Sequence, residues 1–255
     1  MKPAVKRKCR GPLRMHQVSA AAAQWGRLLP LPKTETVPGP LVPLSGDEAA
    51  LIGMAALAVV MIPFLWPLVE QFSAMAHEGA HALTGSIMGF TVAGVTLDIE
   101  SNGATVWANP SEGLRRTLTR FVGYLGPSGF GLWAAKLIET GHIVTVLWIA
   151  VIFLVLLLFV IRKSFGIVSV PAAIAALALI MYYAHSGVEE IIIYGMTWLL
   201  LLSGVRMTIS HGTEAVDAGN LSKTTQIPRL IWWLLWLAGT VLAVVIGGKW
   251  MILRS

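Results

Sequence analysis

An all-α, multi-pass membrane protein with about six transmembrane helices and one short β-hairpin is the fold class that this sequence predicts. Three observations predict it. Charged side chains make up only 13% of the 255 residues, against roughly 25% in soluble domains. Apolar residues make up 56%, and the mean hydropathy is +0.72. The apolar residues are also gathered into runs, at 50–69, 121–138, 142–161, 167–184, 187–205 and 230–248. Each approaches the ~20 residues that a helix needs to cross the hydrocarbon core.

The chain begins with a segment of different character. Residues 1–47 hold eight of the 19 Lys and Arg, and "LLPLPKTETVPGPLVPLSGDE" reads as an extended linker. This basic, Pro-rich tail is expected to lack packed structure, leaving 48–255 as the transmembrane domain. The net charge of +6 and isoelectric point near 9.7 fit attraction to anionic headgroups. No basic folded domain is available to present that charge to a nucleic acid, so the lipid bilayer is the expected partner. Cys9 is the single cysteine, which excludes a disulfide framework and a Cys-based metal site. The first long apolar run starts near residue 49, too far from the basic residues for a secretory signal peptide.

Helical character then extends from 50 to 89, about 60 Å at 1.5 Å per residue, with Pro63 and Pro67 as expected kinks. Two arrangements are open. One bent helix leaves the bilayer near His77, giving six spans; or 50–69 and 71–89 form a hairpin turning at Glu70-Gln71, giving seven. With six, the basic residues of the later loops, from Arg115 to Arg229, share one face, which the positive-inside rule makes cytoplasmic. Next comes "FTVAGVTLDIESNGATVWANP", where Val95, Leu97 and Ile99 alternate with polar residues and Asn102-Gly103 is a hairpin turn signal. The following run contains "GYLGPSGFG", whose small residues permit close helix approach. "IVTVLWIAVIFLVLLLFVI" is an unbroken span, and "LIWWLLWLAGTVLAVVIGG" carries Trp232, Trp233 and Trp236 as interfacial anchors.

The chemistry lies in "SAMAHEGAHALTG", residues 73–85. On a helix, His77 and His81 fall on one face and can present imidazole nitrogens to one ion. Glu78, about 100° round the axis, stands beside the ion as a general base. Zinc suits two imidazoles plus a carboxylate with a position left open. A third protein ligand is then needed, and the candidates are Asp98, His185, Glu189, Glu190, His211, Glu214 and Asp217. Four spans separate His81 from the 206–229 loop, so that loop returns to the same face. His185, Glu189 and Glu190 lie after three spans, on the opposite face. Asp98 shares the face and follows the motif closely.

"AHEGAHALTGSIMGFTVAGVTLDIESNGATV", "RFVGYLGPSGFG" and "VDAGNLSKTTQIPRLIWWLLW" together resemble bacterial membrane proteins of the site-2-protease-like zinc metallopeptidase superfamily. The compact branch without a PDZ domain is the nearer likeness. The resemblance implies Zn²⁺ held by His77, His81 and Asp217, with Glu78 as the catalytic base. It implies that the hairpin, with Val95, Leu97 and Ile99, holds the substrate as an added strand. It also implies a bacterial cytoplasmic-membrane location and membrane-protein substrates. The superfamily's Asn-Pro-x-x-Leu-Asp-Gly motif is absent here, and its Gly-Pro-x-x-Asn segment is matched only by Gly126-Pro127-Ser128. Two other classes remain beside the protease: a catalytically silent membrane scaffold or regulator, and a metal-binding or metal-transporting protein. Glu78 argues against the last, since metal binding alone needs no base there.

Overall fold

A computed structural model describes residues 41–98, 103–109, 112–162 and 164–253. Most of the basic tail, together with Ile99 and Asn102, lies outside the described residues. Helix α1, Gly46–Met61, opens with a capping box in which Ser45 and Glu48 satisfy each other's backbone N–H groups. Just before it, the Val42 N–H donates to the buried Glu190 carboxylate at 2.8 Å. Pro63 cannot continue the helix and disfavours helical geometry in Ile62 before it, so α1 stops there. Helix α2, Trp66–Ile87, restarts four residues on at an angle of 102°. Pro67 sits in its first turn, where no N–H is needed.

The bend falls at the expected Pro63 kink, as in the bent-helix arrangement, and not at the Glu70-Gln71 turn of the hairpin one. The break falls at 62–65, ahead of the histidines, and Glu70 and Gln71 lie inside α2 rather than in a turn. Gly89, with φ +86°, then turns the chain into the hairpin. Strands β1 (Val92–Leu97) and β2 (Gly103–Trp107) pair antiparallel, with Val95 opposite Thr105 and Leu97 opposite Gly103. That register leaves residues 98–102 between the strands and places Gly103 in β2. The other edge of β1 is engaged: Val95 bridges to Ile161, and the Arg162 N–H donates to the Val95 carbonyl at 2.8 Å.

Six more helices and one turn complete the described residues. They are α3 (Leu114–Glu139), α4 (Ile143–Val160), α5 (Ser164–Tyr183), α6 (Ser186–His211), a 3₁₀ turn (Gly212–Glu214), α7 (Val216–Thr225) and α8 (Arg229–Ile252). Among the described residues α4, α5, α6 and α8 are individually long and apolar enough to cross a membrane, and the bent pair α1–α2 together makes a fifth. The run at 121–138 is helical as part of α3 but is not among these. Its Gly123, Gly126, Pro127, Ser128, Gly129 and Gly131 lower its hydropathy.

Those same small residues make α3 the hub of the bundle. Gly126 packs on Ala76 and Ala80 of α2, and Gly131 on the Leu201 backbone of α6. Ser128 donates to the Leu201 carbonyl at 2.9 Å, and the Trp236 indole N–H of α8 donates to the Phe121 carbonyl at 2.7 Å. A cluster of Trp66, Tyr124, Met207, Ala218, Leu221 and Trp236 forms the core beneath α7. The 206–229 loop of the sequence reading is thus partly helical, and Arg229 closes it by pairing with Glu214 at 3.2 Å.

Candidate metal centre and catalytic cavity

His77, Glu78 and His81 all lie in the middle of α2 and are at least nine-tenths buried. Burial of three such groups is costly unless each has a partner, and most partners are visible. The His81 Nδ1 lies 2.7 Å from the Thr119 carbonyl oxygen of α3. A carbonyl only accepts, so Nδ1 carries the proton and Nε2 turns its lone pair into the site. His77 is oriented by packing, edge-on to the Tyr124 ring at 4.8 Å. The rings fit because Gly123 faces them: a Cβ there would collide with both imidazoles.

Asp217, in the first turn of α7, completes the group. Its Oδ2 lies 3.1 Å from His81 Nε2 and 3.4 Å from His77 Nε2, and the two Nε2 atoms are 3.1 Å apart. Burial alone would raise the Asp217 carboxyl, but hydrogen bonds and charge from His77 and His81 outweigh it and hold the carboxyl below the usual range. The three atoms form the one group of metal-ligating type found among the described residues. Lone pairs brought this close repel one another unless a cation or shared protons lie between them. Zinc bound tetrahedrally at about 2.0–2.1 Å would set its ligands about 3.3 Å apart, so this donor set fits the ion. A carbonyl accepting from the distal nitrogen of a ligand histidine is also the usual support in such sites.

Glu78 stands beside the group, its Oε1 3.9 Å from His77 Nε2. Its other oxygen accepts from the Thr105 hydroxyl of β2 at 2.6 Å. Gly103, two residues earlier on the same strand face, lacks the Cβ that would strike the Glu78 carboxylate. Trp107, two residues later, covers Gly85 of α2. One face of β2 therefore lies along α2. A cavity of about 540 Å³ opens over the site, bounded by His77, Glu78, His81, Asp217, β2 and the start of α3.

The remaining sequence candidates fall elsewhere. Asp98 is exposed at the end of β1 and outside the converging group. Glu190 is occupied with Val42. His211 lines the cavity, with Nδ1 2.9 Å from the Met207 carbonyl. Val95 and Leu97 are fully buried in the core, so their side chains do not reach the cavity; the strand that does is β2. Thr105, Gly123 and the Thr119 carbonyl were not anticipated. The glycine of "RFVGYLG" was noted only for helix approach, and nothing local marks Thr105.

A helical membrane protein with a paired-histidine helix, an adjacent glutamate and a carboxylate from a distant segment belongs to the class of membrane metallopeptidase folds. More narrowly, the family model described as Peptidase M50B-like matches residues 50–247. The chain belongs to that family, which is the site-2-protease family, and no PDZ domain accompanies the match. No curated protein and no solved structure matches it.

Proposed function

We propose that this protein is a zinc metalloprotease of the bacterial cytoplasmic membrane, hydrolysing peptide bonds of membrane-associated proteins within or beside the bilayer. The observation that carries the reading is the convergence of His77, His81 and Asp217, the last 136 residues beyond His81, with Glu78 alongside. A zinc ion held by those three residues would supply Lewis acidity toward the scissile carbonyl. Glu78 takes a proton from the attacking water and returns it to the leaving amine. Burial of the site limits competing water and strengthens the charge interactions on which this transfer depends.

A helical substrate must be unwound before its backbone can be attacked, and adding a strand to a sheet edge holds it extended. Among the described residues β1 has partners on both edges and β2 on one. In this reading the substrate strand is added to β2, while Val95 and Leu97 anchor the hairpin from beneath. The test is metal analysis and cleavage assay of the full chain and of Glu78→Gln. The variant should keep stoichiometric zinc and lose cleavage. A wild type that binds no zinc sinks the enzyme reading. One that binds zinc yet cleaves no membrane substrate turns it toward a silent scaffold or regulator.

A further inference from the structure

Two cations line the same cavity, and the proposed chemistry uses neither. Arg116 and Arg120 stand one turn apart near the start of α3, and their side chains are only 20% and 17% exposed. Arginines near a membrane surface usually extend the guanidinium into headgroups and water; these two border the space above Glu78.

Their present partners are poor. The Glu112 carboxylate lies 3.5 Å from Arg116 Nε and 3.9 Å from Arg120 Nη1, but it is 70% exposed, where such a pair contributes little. Arg120 Nη1 also donates to the Thr224 hydroxyl at 2.9 Å. Arg116 Nε and Nη1 are shielded from solvent with no hydrogen-bond partner among the described residues. The other acidic groups around the cavity are engaged: Glu78 by Thr105, Asp217 by the histidines and Glu214 by Arg229. Two guanidinium groups left short of acceptors are suited to a carboxylate, which each can bind through parallel N–H donors.

Their distance from the reacting position fits a polypeptide. Gly123 abuts both histidines. Arg120 and Arg116 precede it by three and seven residues, about 4.5 and 10 Å along the helix axis. An extended chain advances about 3.3 Å per residue. We propose that Arg116 and Arg120 form a carboxylate-recognising subsite, favouring substrates with an acidic side chain or a free chain terminus within about three residues of the cleaved bond. The proposal rests on the proteolytic reading above.

The test uses zinc-loaded, full-length Glu78→Gln protein in detergent micelles and fluorescent peptides of one apolar sequence. A single Glu is walked along an amidated peptide; the controls replace it with Gln, with the C-terminus amidated or free. The expected result is a gain of about tenfold or more for Glu at one or two positions, eroded by salt. That preference should collapse in Arg116→Gln/Arg120→Gln, checked for zinc content and monodispersity, and persist in part with Lys at both positions. A gain from the free terminus alone would assign the subsite to chain ends. Equal binding of Glu, Gln and free-terminus peptides, or a preference that the double Gln variant keeps, overturns the subsite and leaves the protease reading standing. Loss of affinity for phosphatidylglycerol vesicles in the double variant, without peptide discrimination, makes the pair a headgroup anchor and also overturns it. If no peptide of either kind binds, the proteolytic reading fails as well.

Discussion

The Thr105 hydroxyl of strand β2 donates to the Glu78 carboxylate of the ligand helix at 2.6 Å, across 27 residues of sequence. The hairpin therefore does more than border the cavity: it fixes the orientation of Glu78, the proposed base. A hydrogen bond to a charged group is worth about 1.5–3 kcal/mol. Thr105→Val should lower the cleavage rate about tenfold or more with zinc content unchanged. Thr105→Ser should restore most of it. Equal rates for Val and Ser would show that the hydroxyl bond to Glu78 does not set the rate.

Removing Asp217 should leave a two-histidine site. Asp217→Ala and His81→Ala are each expected to fall well below one zinc per chain after dialysis against a weak chelator, while Glu78→Gln stays near one. Zinc retained by Asp217→Ala would transfer the third-ligand role to another group.

Gly123 of α3 faces the His77 and His81 rings, and a Cβ there would collide with both. Gly123→Ala should displace both imidazoles, at about 1–3 kcal/mol of overpacking strain, and reduce zinc affinity. Gly129, on the same helix with nothing within 4 Å of its missing Cβ, is the control. Gly129→Ala should melt at or slightly above the wild-type temperature and bind zinc normally.

Acid sensitivity of the metal-stripped protein carries a definite sign. The folded Asp217 carboxyl is held below its unfolded value of about 3.9. Its stabilising contribution is therefore complete above that value and lost as pH falls through it toward the folded value. The gap in melting temperature between chelator-treated wild type and Asp217→Asn should narrow as pH falls from about 5 to about 3. A gap that is constant or widens would contradict the carboxylate–histidine contact.

The sequence made the ligand helix legible because its signal is local: i and i+4 on one face need no knowledge of the rest of the fold. Asp217 needed the count of crossings and the family likeness, since nothing near it in sequence resembles a site. Thr105 and Gly123 could not be read at all, because each acquires its role only when a non-neighbouring element packs against α2. Asn102-Gly103 was legible but ambiguous. The glycine, part of a hairpin signal, opens β2 and also makes room for the Glu78 carboxylate. The run at 121–138 is apolar in sequence and helical in the structure, yet its hydropathy falls short of a span's for a related reason. In α3 apolar bulk gives way to small residues that let backbones approach, and hydropathy does not register close packing.

Because Gly103, Thr105 and Trp107 lie lengthwise on α2, the hairpin can act as a ruler. Strand pairing repeats every two residues, about 6.6 Å. A polypeptide added to β2 can thus slip only in dipeptide steps if it is to keep its hydrogen bonds and its facing. Alternative cleavages of one substrate would then be spaced by even numbers of residues, a ladder readable by mass spectrometry of the products.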